Sequence, residues 1–240
     1  MLRFHSPIFV LASRSPARRR LLEKAGILPI ICPSDFDESQ IQVSNPGQLV
    51  ETLAESKAQV IVNKIKQEKS LFSSSSDSDS DSQKLINSDN ILVLGCDSVL
   101  VVGGEIYGKP KDEAEAIFRW HTMRGKVGQL FTGHALIDIQ SGDKQVQSPM
   151  TQVHFASVSD DEIKAYVATG EPMNCAGCFA IEGKGGLFIE QLEGCHTNVM
   201  GLSLPLLRQM LNQFGYTITS FWNVDSNHSF YSSQGDPQLD

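Results

Sequence analysis

The 240-residue sequence has few cysteines, no excess of basic residues, no long apolar run and no internal repeat. Its five cysteines are scattered and odd in number, which fits a reducing compartment better than a disulfide framework. The formal net charge of −8 disfavours a general nucleic-acid binder, because affinity for a phosphate backbone needs a basic face. No apolar run is long enough to span a membrane, and no secretory leader precedes the first strand. We therefore expect a cytoplasmic protein with no membrane or nucleic-acid partner.

The remaining composition is ordinary for a globular protein, with 40% hydrophobic and 20% charged residues. Apolar runs predict strands at residues 8–11, 27–32, 91–96, 98–102, 127–139, 152–158 and 216–222. Helical spacing and capping residues predict helices at residues 17–24, 46–66 and 112–123, from residue 159 onward, and at 204–214. Strands alternate with helices early and pair as hairpins later, which predicts an α/β fold with a mixed β-sheet flanked by helices.

Domain organisation is predicted as a single domain over residues 1–222, with two lobes around a cleft and a polar tail at 223–240. A segment at residues 73–83 alternates serine with aspartate and cannot bury apolar surface. It predicts a disordered surface insertion, and a phosphorylated or cation-binding tract is the alternative.

The loop Ser13-Arg14-Ser15 lies between a predicted strand and a predicted helix. Free backbone N–H groups and the helix dipole make such a place an anion site, so a phosphate could bind there. Arg18 and the two arginines after it point in different directions around the helix, and at most one or two of them can face that anion. The alternative is an ordinary capped helix with a basic face.

Candidate acid–base and metal-binding groups come from three carboxylates, Asp97, Glu38 and Glu182. Asp97 follows a run of apolar residues, which predicts a carboxylate at the C-terminal end of a strand, where open α/β sheets bind ligands. Any of the three could hold Mg²⁺ or Mn²⁺ against phosphate oxygens or activate water, and the sequence leaves their roles open. Lys109 is fixed between a glycine and a proline and suits phosphate as a point charge.

Cys175 and Cys178 form a C-x-x-C motif, which raises zinc or redox chemistry as an interpretation. The nearest further ligands are Cys195 and His196, and no strand–C-x-x-C–helix context is visible. Small buried thiols are the alternative interpretation.

Seven segments in order resemble the Maf family of nucleoside triphosphate pyrophosphatases from about Ile8 to Leu211. They are LASRSPARRRLL at 11–22, FDES at 36–39, LAESKA at 53–58, GCDSVLVVGGEIYGKPKDEAEA at 95–116, RGKVGQLFTG at 124–133, TGEPMNCAGCFAIEGKGGLFIEQLEG at 169–194 and VMGLSLPLL at 199–207. Their joint presence and order make the resemblance specific.

This resemblance implies an enzyme that hydrolyses the α–β phosphoanhydride of a nucleoside triphosphate to the monophosphate and pyrophosphate with a divalent metal. It implies a mixed α/β fold with a deep cleft, and a homodimer, since members often form dimers. By matching position, Asp97 resembles the catalytic carboxylate that accepts a proton from water. The resemblance places five further residues at the triphosphate and metal: Ser13, Arg18, Glu38, Lys57 and Lys109.

The resemblance leaves the base preference open, because the three positions that differ between two branches of the family match neither branch as a set: Glu182 matches one branch, Ser98 is close to the Thr of the other, and Ala17 matches neither. Where this chain has Ala17, Ser98 and Glu182, the pyrimidine-preferring branch has Arg, Thr and Gln. The branch that prefers 7-methylguanosine triphosphate has Trp, Gln and Glu there. An ionised Glu182 only accepts hydrogen bonds, which suits guanine or cytosine better than uracil or thymine. A metal-binding role for Glu182 is the alternative.

Two function classes follow from these residues. The first is an enzyme that clears modified or non-standard nucleotides. The second is a non-catalytic nucleotide-binding regulator of cell division, a role also linked to the family. The presence of Asp97, Lys57 and Lys109 together favours the enzyme.

Overall fold

The structure is a computed structural model that describes residues 7–72, 81, 85, 88 and 90–222. Its strands are β1 (Ile8–Leu11), β2 (Ile30–Ile31), β3 (Ile91–Val102), β4 (Glu105–Tyr107), β5 (Val127–Asp138), β6 (Lys144–Gln147), β7 (Met150–Phe155) and β8 (Ile189–Glu193). Its helices are α1 (Pro16–Lys24), α2 (Pro46–Phe72), α3 (Glu113–Met123), α4 (Asp160–Val167), α5 (His196–Val199) and α6 (Leu204–Gln213). Short 3₁₀ helices connect several of them.

One eight-stranded sheet has the order β2-β1-β3-β5-β7-β8, with β4 paired to β3 and β6 paired to β5. β1 runs parallel to β2 and β3, and the pairings among β3 to β8 are antiparallel. This mixed sheet flanked by helices confirms the predicted fold class.

The central strand β3 has residues in all three hydrophobic clusters of the described chain. Leu92 and Leu94 pack with α1 and α6 on one face of the sheet. Ile91 and Val93 pack with α2 on the other face. Leu100, further along the strand, joins a separate cluster with α3 and α4. Because side chains alternate along a strand, β3 connects both faces and both ends of the core.

The structure differs from three predictions about strands: the strand end at Asp97, the strand over 216–222 and the length of the strand over 27–32. Asp97 is not at the end of a strand, because β3 continues to Val102 as the antiparallel partner of β5. β1 ends at Leu11, opposite Leu94, so Asp97 lies beyond the end of the parallel pair but inside a longer strand.

The strand predicted over residues 216–222 is a 3₁₀ helix at Ile218–Phe221. Its apolar side chains pack against the sheet instead of its backbone pairing with it. The ring of Phe221 lies edge-on to Phe9 of β1 with the centroids 6.0 Å apart. The strand predicted over 27–32 is reduced to the two residues of β2.

The predicted helix ends agree closely with the structure except at the C-terminus of α2. Ser15 caps α1 with Pro16 in the first turn, and Gly26 beyond its C-terminus has a φ of 79°. Ser159 forms the capping box of α4. Helix α2 extends past the predicted end to Phe72.

The predicted insertion at 73–83 lies outside the described residues except for Asp81, as does the predicted tail at 223–240. None of the helices in the described part of the chain is long and apolar enough to cross a membrane.

Candidate active site

A cavity of about 1050 Å³ opens where β3 passes from one end of the core to the other. Its lining comes from the loop after β1, α1, α2, β3, β5 and residues 33–41, 106–109, 174–182 and 199–201. Every site residue predicted from the sequence lines this cavity: Ser13, Arg14, Ser15, Ala17, Arg18, Glu38, Lys57, Asp97, Ser98, Lys109 and Glu182. The predicted two lobes and the depth of the cleft stay predictions.

Lys57 joins two carboxylates at the centre of the cavity wall. Its Nζ lies 2.5 Å from Asp97 Oδ1 and 2.7 Å from Glu38 Oε1. The side chains of Lys57 and Asp97 are largely buried, whereas Glu38 is more than half exposed. Asp97 is therefore the inner carboxylate and Glu38 the outer one, and both converge on one positive charge.

Alternation along β3 explains why Asp97 and Ser98 meet different helices. The side chain of Asp97 lies on the same face of the sheet as that of Val93, toward α2, which carries Lys57. The side chain of Ser98 lies on the same face as that of Leu94, toward α1, where Arg18 Nη2 donates to Ser98 Oγ at 3.1 Å. Neighbouring residues of one strand thus supply the two faces of the site.

Two glycines allow α2 to lie close enough for Lys57 to reach Asp97. A Cβ added to Gly95 of β3 would lie 2.1 Å from the carbonyl oxygen of Ala54. One added to Gly133 of β5 would lie 2.0 Å from the carbonyl oxygen of Val50. Both contacts are with helix backbone, so the close packing of α2 on the sheet depends on the missing side chains.

Burial raises the pKa of the Asp97 carboxyl above its ordinary value. The positive charges of Lys57 and Arg18 act in the opposite direction but do not cancel this effect, and Glu38 adds to it. A raised pKa makes the ionised carboxylate a stronger base, which suits a group that accepts a proton near neutral pH.

Arg18 holds three parts of the cavity wall together. Its Nε donates to the carbonyl of Gly201 at 2.8 Å. Nη1 donates to Ser13 Oγ at 3.1 Å and to the carbonyl of Cys96 at 2.9 Å, and Nη2 donates to Ser98. These donor groups of Arg18 thus already have acceptors in the protein, and the binding of triphosphate by Arg18 stays a prediction.

The other residues of the predicted anion loop are arranged differently. Ser15 Oγ accepts from the backbone N–H of Arg18 at 3.4 Å, so its side chain caps α1. Arg14 pairs with Asp35 at 2.5 Å, and both side chains are exposed. Ser13 is the residue of this loop whose side chain accepts a hydrogen bond from the guanidinium of Arg18.

Lys109 is carried on a loop supported by Arg119, a residue that the sequence analysis did not single out. The carbonyl of Gly108 accepts from Arg119 Nη1 at 2.7 Å and from the backbone N–H of Gly177 at 3.2 Å. Arg119 is buried, pairs with Glu115 at 2.6 Å and lies over the ring of Tyr107. No motif marks a buried arginine inside a helix, so only its three-dimensional contacts identify this role.

Glu182 lines the same cavity as Asp97 and lies on the glycine-rich segment after Phe179. Its Oε1 is 3.5 Å from Nη2 of Arg20. The three consecutive arginines of α1 thus have three different partners: Arg18 is turned into the wall, Arg19 pairs with Glu23 and Arg20 approaches Glu182.

The family profile described as Maf-like protein matches residues 8–214 of this chain. The chain belongs to the Maf family. A relative from Trichodesmium erythraeum is 56% identical over 90% of this chain and 98% of its own length, and its name is nucleoside triphosphate pyrophosphatase. Relatives with the same name from Gloeothece citriformis and Microcystis aeruginosa are 54% and 55% identical over 89% of this chain and 97% of their own lengths.

The C-x-x-C segment of this Maf protein does not have the surroundings of a zinc or redox centre. Within the described residues, no three His, Cys, Asp or Glu side chains are grouped to hold a metal. Burial raises the pKa of both Cys175 and Cys178 to about 11, which disfavours the thiolate that zinc binding and disulfide exchange need. Cys178 packs in the core beside Trp120, whose indole N–H donates to its carbonyl at 2.9 Å.

Proposed function

We propose that this Maf protein is a nucleoside triphosphate pyrophosphatase that hydrolyses the α–β phosphoanhydride and releases a nucleoside monophosphate and pyrophosphate. The observation that carries the proposal is the buried Asp97 carboxylate, which faces Lys57 in a cavity large enough for a nucleotide. Relatives more than half identical over nearly the whole chain have that name.

In this mechanism Asp97 accepts a proton from water as the water oxygen bonds to the α-phosphorus. The bond from that phosphorus to the bridging oxygen breaks, and pyrophosphate leaves with the electron pair. Lys57 lies 2.5 Å from Asp97, so it fixes the orientation of the carboxylate. Lys109 and Ser13, which line the same cavity, bind phosphate oxygens.

Glu38 and Asp97 would hold a divalent cation, Mg²⁺ or Mn²⁺, together with phosphate oxygens. Two carboxylates converging on one point of positive charge match the way Mg²⁺ binds in phosphoryl-transfer sites, where one or two carboxylates and the substrate supply its ligands. Such a cation would stabilise the negative charge of the phosphate oxygens and of the leaving pyrophosphate. Lys57, which contacts both carboxylates, would then hold them in position at the substrate.

Ala17, Ser98 and Glu182 line the part of the cavity that would receive the base. Ser98 Oγ is already hydrogen-bonded to Thr132 Oγ1 at 2.9 Å and to Arg18 at 3.1 Å. Glu182 has two carboxylate oxygens and one longer contact, 3.5 Å from Oε1 to Arg20, so it has more capacity to accept hydrogen bonds. We assign Glu182 to the base and expect guanine-type and cytosine triphosphates to be preferred, because their edges offer N–H donors.

The test is a panel of nucleoside triphosphates assayed with Mg²⁺, Mn²⁺ or a chelator, with pyrophosphate and orthophosphate measured separately. We expect pyrophosphate and monophosphate in equal amounts, and no turnover with the chelator. Release of orthophosphate alone would overturn the assignment of the cleaved bond. Tight nucleotide binding without any product would favour a regulator instead of an enzyme.

A further inference from the structure

The segment that carries Glu182 is held by two residues outside the cavity, Tyr166 and Glu171. Tyr166 lies in α4, and Glu171 begins the 3₁₀ helix at Glu171–Asn174. Neither residue lines the cavity. We propose that Tyr166 and Glu171 are positioning residues that fix Glu182 and thereby set the nucleotide selectivity of the site, an inference that rests on the proposed function.

Three backbone N–H groups of the segment donate to this pair. Tyr166 Oη accepts from the amide of Ala180 at 3.2 Å, on the N-terminal side of Glu182. The Glu171 carboxylate accepts from the amides of Lys184 at 3.1 Å and Gly185 at 2.9 Å, on the C-terminal side. Glu182 therefore lies between two anchors two or three residues away on either side.

The two anchors are also joined to each other. Tyr166 Oη donates to Glu171 Oε1 at 2.8 Å, so one continuous set of hydrogen bonds runs from Ala180 to Gly185. The ring of Tyr166 is buried and packs edge-on against Trp120 and Phe188. This packing fixes the position of Tyr166 relative to the core, and the hydrogen bonds transmit that position to the segment.

The glycines of the segment fit closely around the same two side chains. A Cβ on Gly183 would lie 2.4 Å from Glu171 Oε2, and a Cβ on Gly185 would lie 2.4 Å from Tyr166 Oη. Burial opposes ionisation of Glu171, but the hydrogen bonds from Gly185, Tyr166 and Lys184 lower its pKa overall. An ionised carboxylate, which only accepts hydrogen bonds, is what two amides and a hydroxyl require here.

The experiment is a double-mutant cycle on the ratio of kcat/KM for guanosine and uridine triphosphates, using Glu171→Gln, Glu182→Gln and both together. The side-chain amide introduced by Glu171→Gln would direct one N–H group at the backbone donor of Lys184, so the segment should loosen. We expect Glu171→Gln to lower the ratio about threefold to tenfold in the direction of Glu182→Gln. In the double variant, Glu171→Gln should add nothing, because Glu182 is already absent.

Glu162→Gln is the matched control. Glu162 also accepts from a backbone amide, that of Ser159 at 2.7 Å, but it caps α4 and does not line the cavity. It should leave the ratio unchanged. Tyr166→Phe keeps the ring and removes the hydroxyl, and it should shift the ratio in the same direction as Glu171→Gln. Equal multiplicative effects of Glu171→Gln with and without Glu182 would overturn the inference, because they would indicate a general loss of stability.

Hydrogen exchange separates failure of this inference from failure of the proposed function. Exchange at the amides of Ala180, Lys184 and Gly185 should accelerate in Glu171→Gln and Tyr166→Phe but not in Glu162→Gln. If the wild-type protein releases no pyrophosphate from any triphosphate, the proposed function fails, and the same cycle is read on nucleotide dissociation constants. Unchanged exchange in both variants would overturn the positioning role whatever the activity.

Discussion

Two parts of the cavity lining, the one with Asp97 and Lys57 and the one with Glu182, are built in different ways. Asp97 and Lys57 lie on a twelve-residue strand and a long helix whose backbones pack directly through Gly95. Glu182 lies on a short glycine-rich segment fixed by hydrogen bonds from three amides. A strand and a helix in backbone contact have little freedom to move, whereas a glycine-rich segment can be repositioned by changing its supports. In the proposed function, the reacting groups would therefore be fixed by the core, and selectivity would be alterable without disturbing the core.

The largest effect should come from removing the buried carboxylate. Asp97→Asn preserves shape but cannot accept a proton, so kcat should fall on the order of 100-fold to 10,000-fold. Nucleotide binding, measured separately, should remain. If Asp97→Asn binds nucleotide and keeps a near wild-type kcat, the carboxylate is structural. The part of the lining with Asp97 and Lys57 would then not be the reacting part.

The same carboxylate should set the acidic limb of the pH profile. Asp97 must be ionised to act as a base, and burial raises its pKa above the ordinary value of 3.8. Activity should therefore rise with pH through a pKa higher than that of an exposed aspartate. The folded state binds this proton more tightly than the unfolded state, so the contribution of Asp97 to stability falls as pH rises through the raised pKa. Urea unfolding at a series of pH values rising from the ordinary aspartate pKa of 3.8 should show wild type losing stability relative to Asp97→Asn.

Packing of α2 on the sheet should be the most sensitive point for stability. A methyl group on Gly95 would collide with the carbonyl of Ala54, so Gly95→Ala should destabilise the fold by about 3 kcal/mol or more and displace Lys57 from Asp97. Gly108→Ala is the matched control, since nothing lies within 4 Å of an added Cβ there. Similar urea midpoints for the two variants would mean that α2 is not held at this distance by Gly95.

The sequence predicted the order of strands and helices well because periodicity and capping are local signals. Ser15, Gly26 and Ser159 mark helix ends through their own backbone geometry. The position of Asp97 inside β3 was missed because the extension of that strand depends on β5, which lies far away in the sequence. Segment 216–222 has the composition of a strand, but its apolar side chains pack on the sheet from a 3₁₀ helix, and a single sequence does not distinguish the two.

The candidate site was predictable as a set of residues but not as a network. Family motifs named Asp97, Lys57 and Glu38, and the structure brings their side chains together. Nothing in the spacing indicates that Arg119 supports the Lys109 loop, or that Glu171 supports the Glu182 segment. These supports act through backbone groups, which every residue has, so they leave no signature in a single sequence.

A smaller effect on kcat/KM is expected from changing Glu182, in the glycine-rich part of the cavity lining. Glu182→Gln should weaken the preference for guanine-type and cytosine triphosphates and improve uridine and thymidine triphosphates, since mismatched hydrogen bonds cost about 1–3 kcal/mol. The assay is kcat/KM for each triphosphate, with Glu190→Gln, an exposed carboxylate of β8, as the control. A uniform fall in kcat together with a higher metal requirement would instead assign Glu182 to the cation.

The smallest effect should follow from removing the Ser/Asp-rich segment. Replacing residues 73–83 with a short Gly/Ser linker should change the free energy of unfolding by less than about 1 kcal/mol, because closure entropy depends only logarithmically on loop length. Activity should be unchanged. The deletion must stop before Leu85, which is buried with α2 and β3, and Leu85→Ser should be clearly more destabilising. Loss of activity with the fold intact would place the segment in contact with the cavity.

The hydrogen bonds of Arg18 determine when the cavity can form during synthesis. They join this arginine to residues 5, 78, 80 and 183 positions away, the last being Gly201. At about 5–20 residues per second, a ribosome needs about ten to forty seconds to add the chain between Arg18 and Gly201. Throughout that interval Arg18 Nε lacks its Gly201 acceptor, although Ser13, Cys96 and Ser98 are made earlier. This part of the cavity wall is therefore completed only after most of the family-matched region, residues 8–214, has been made.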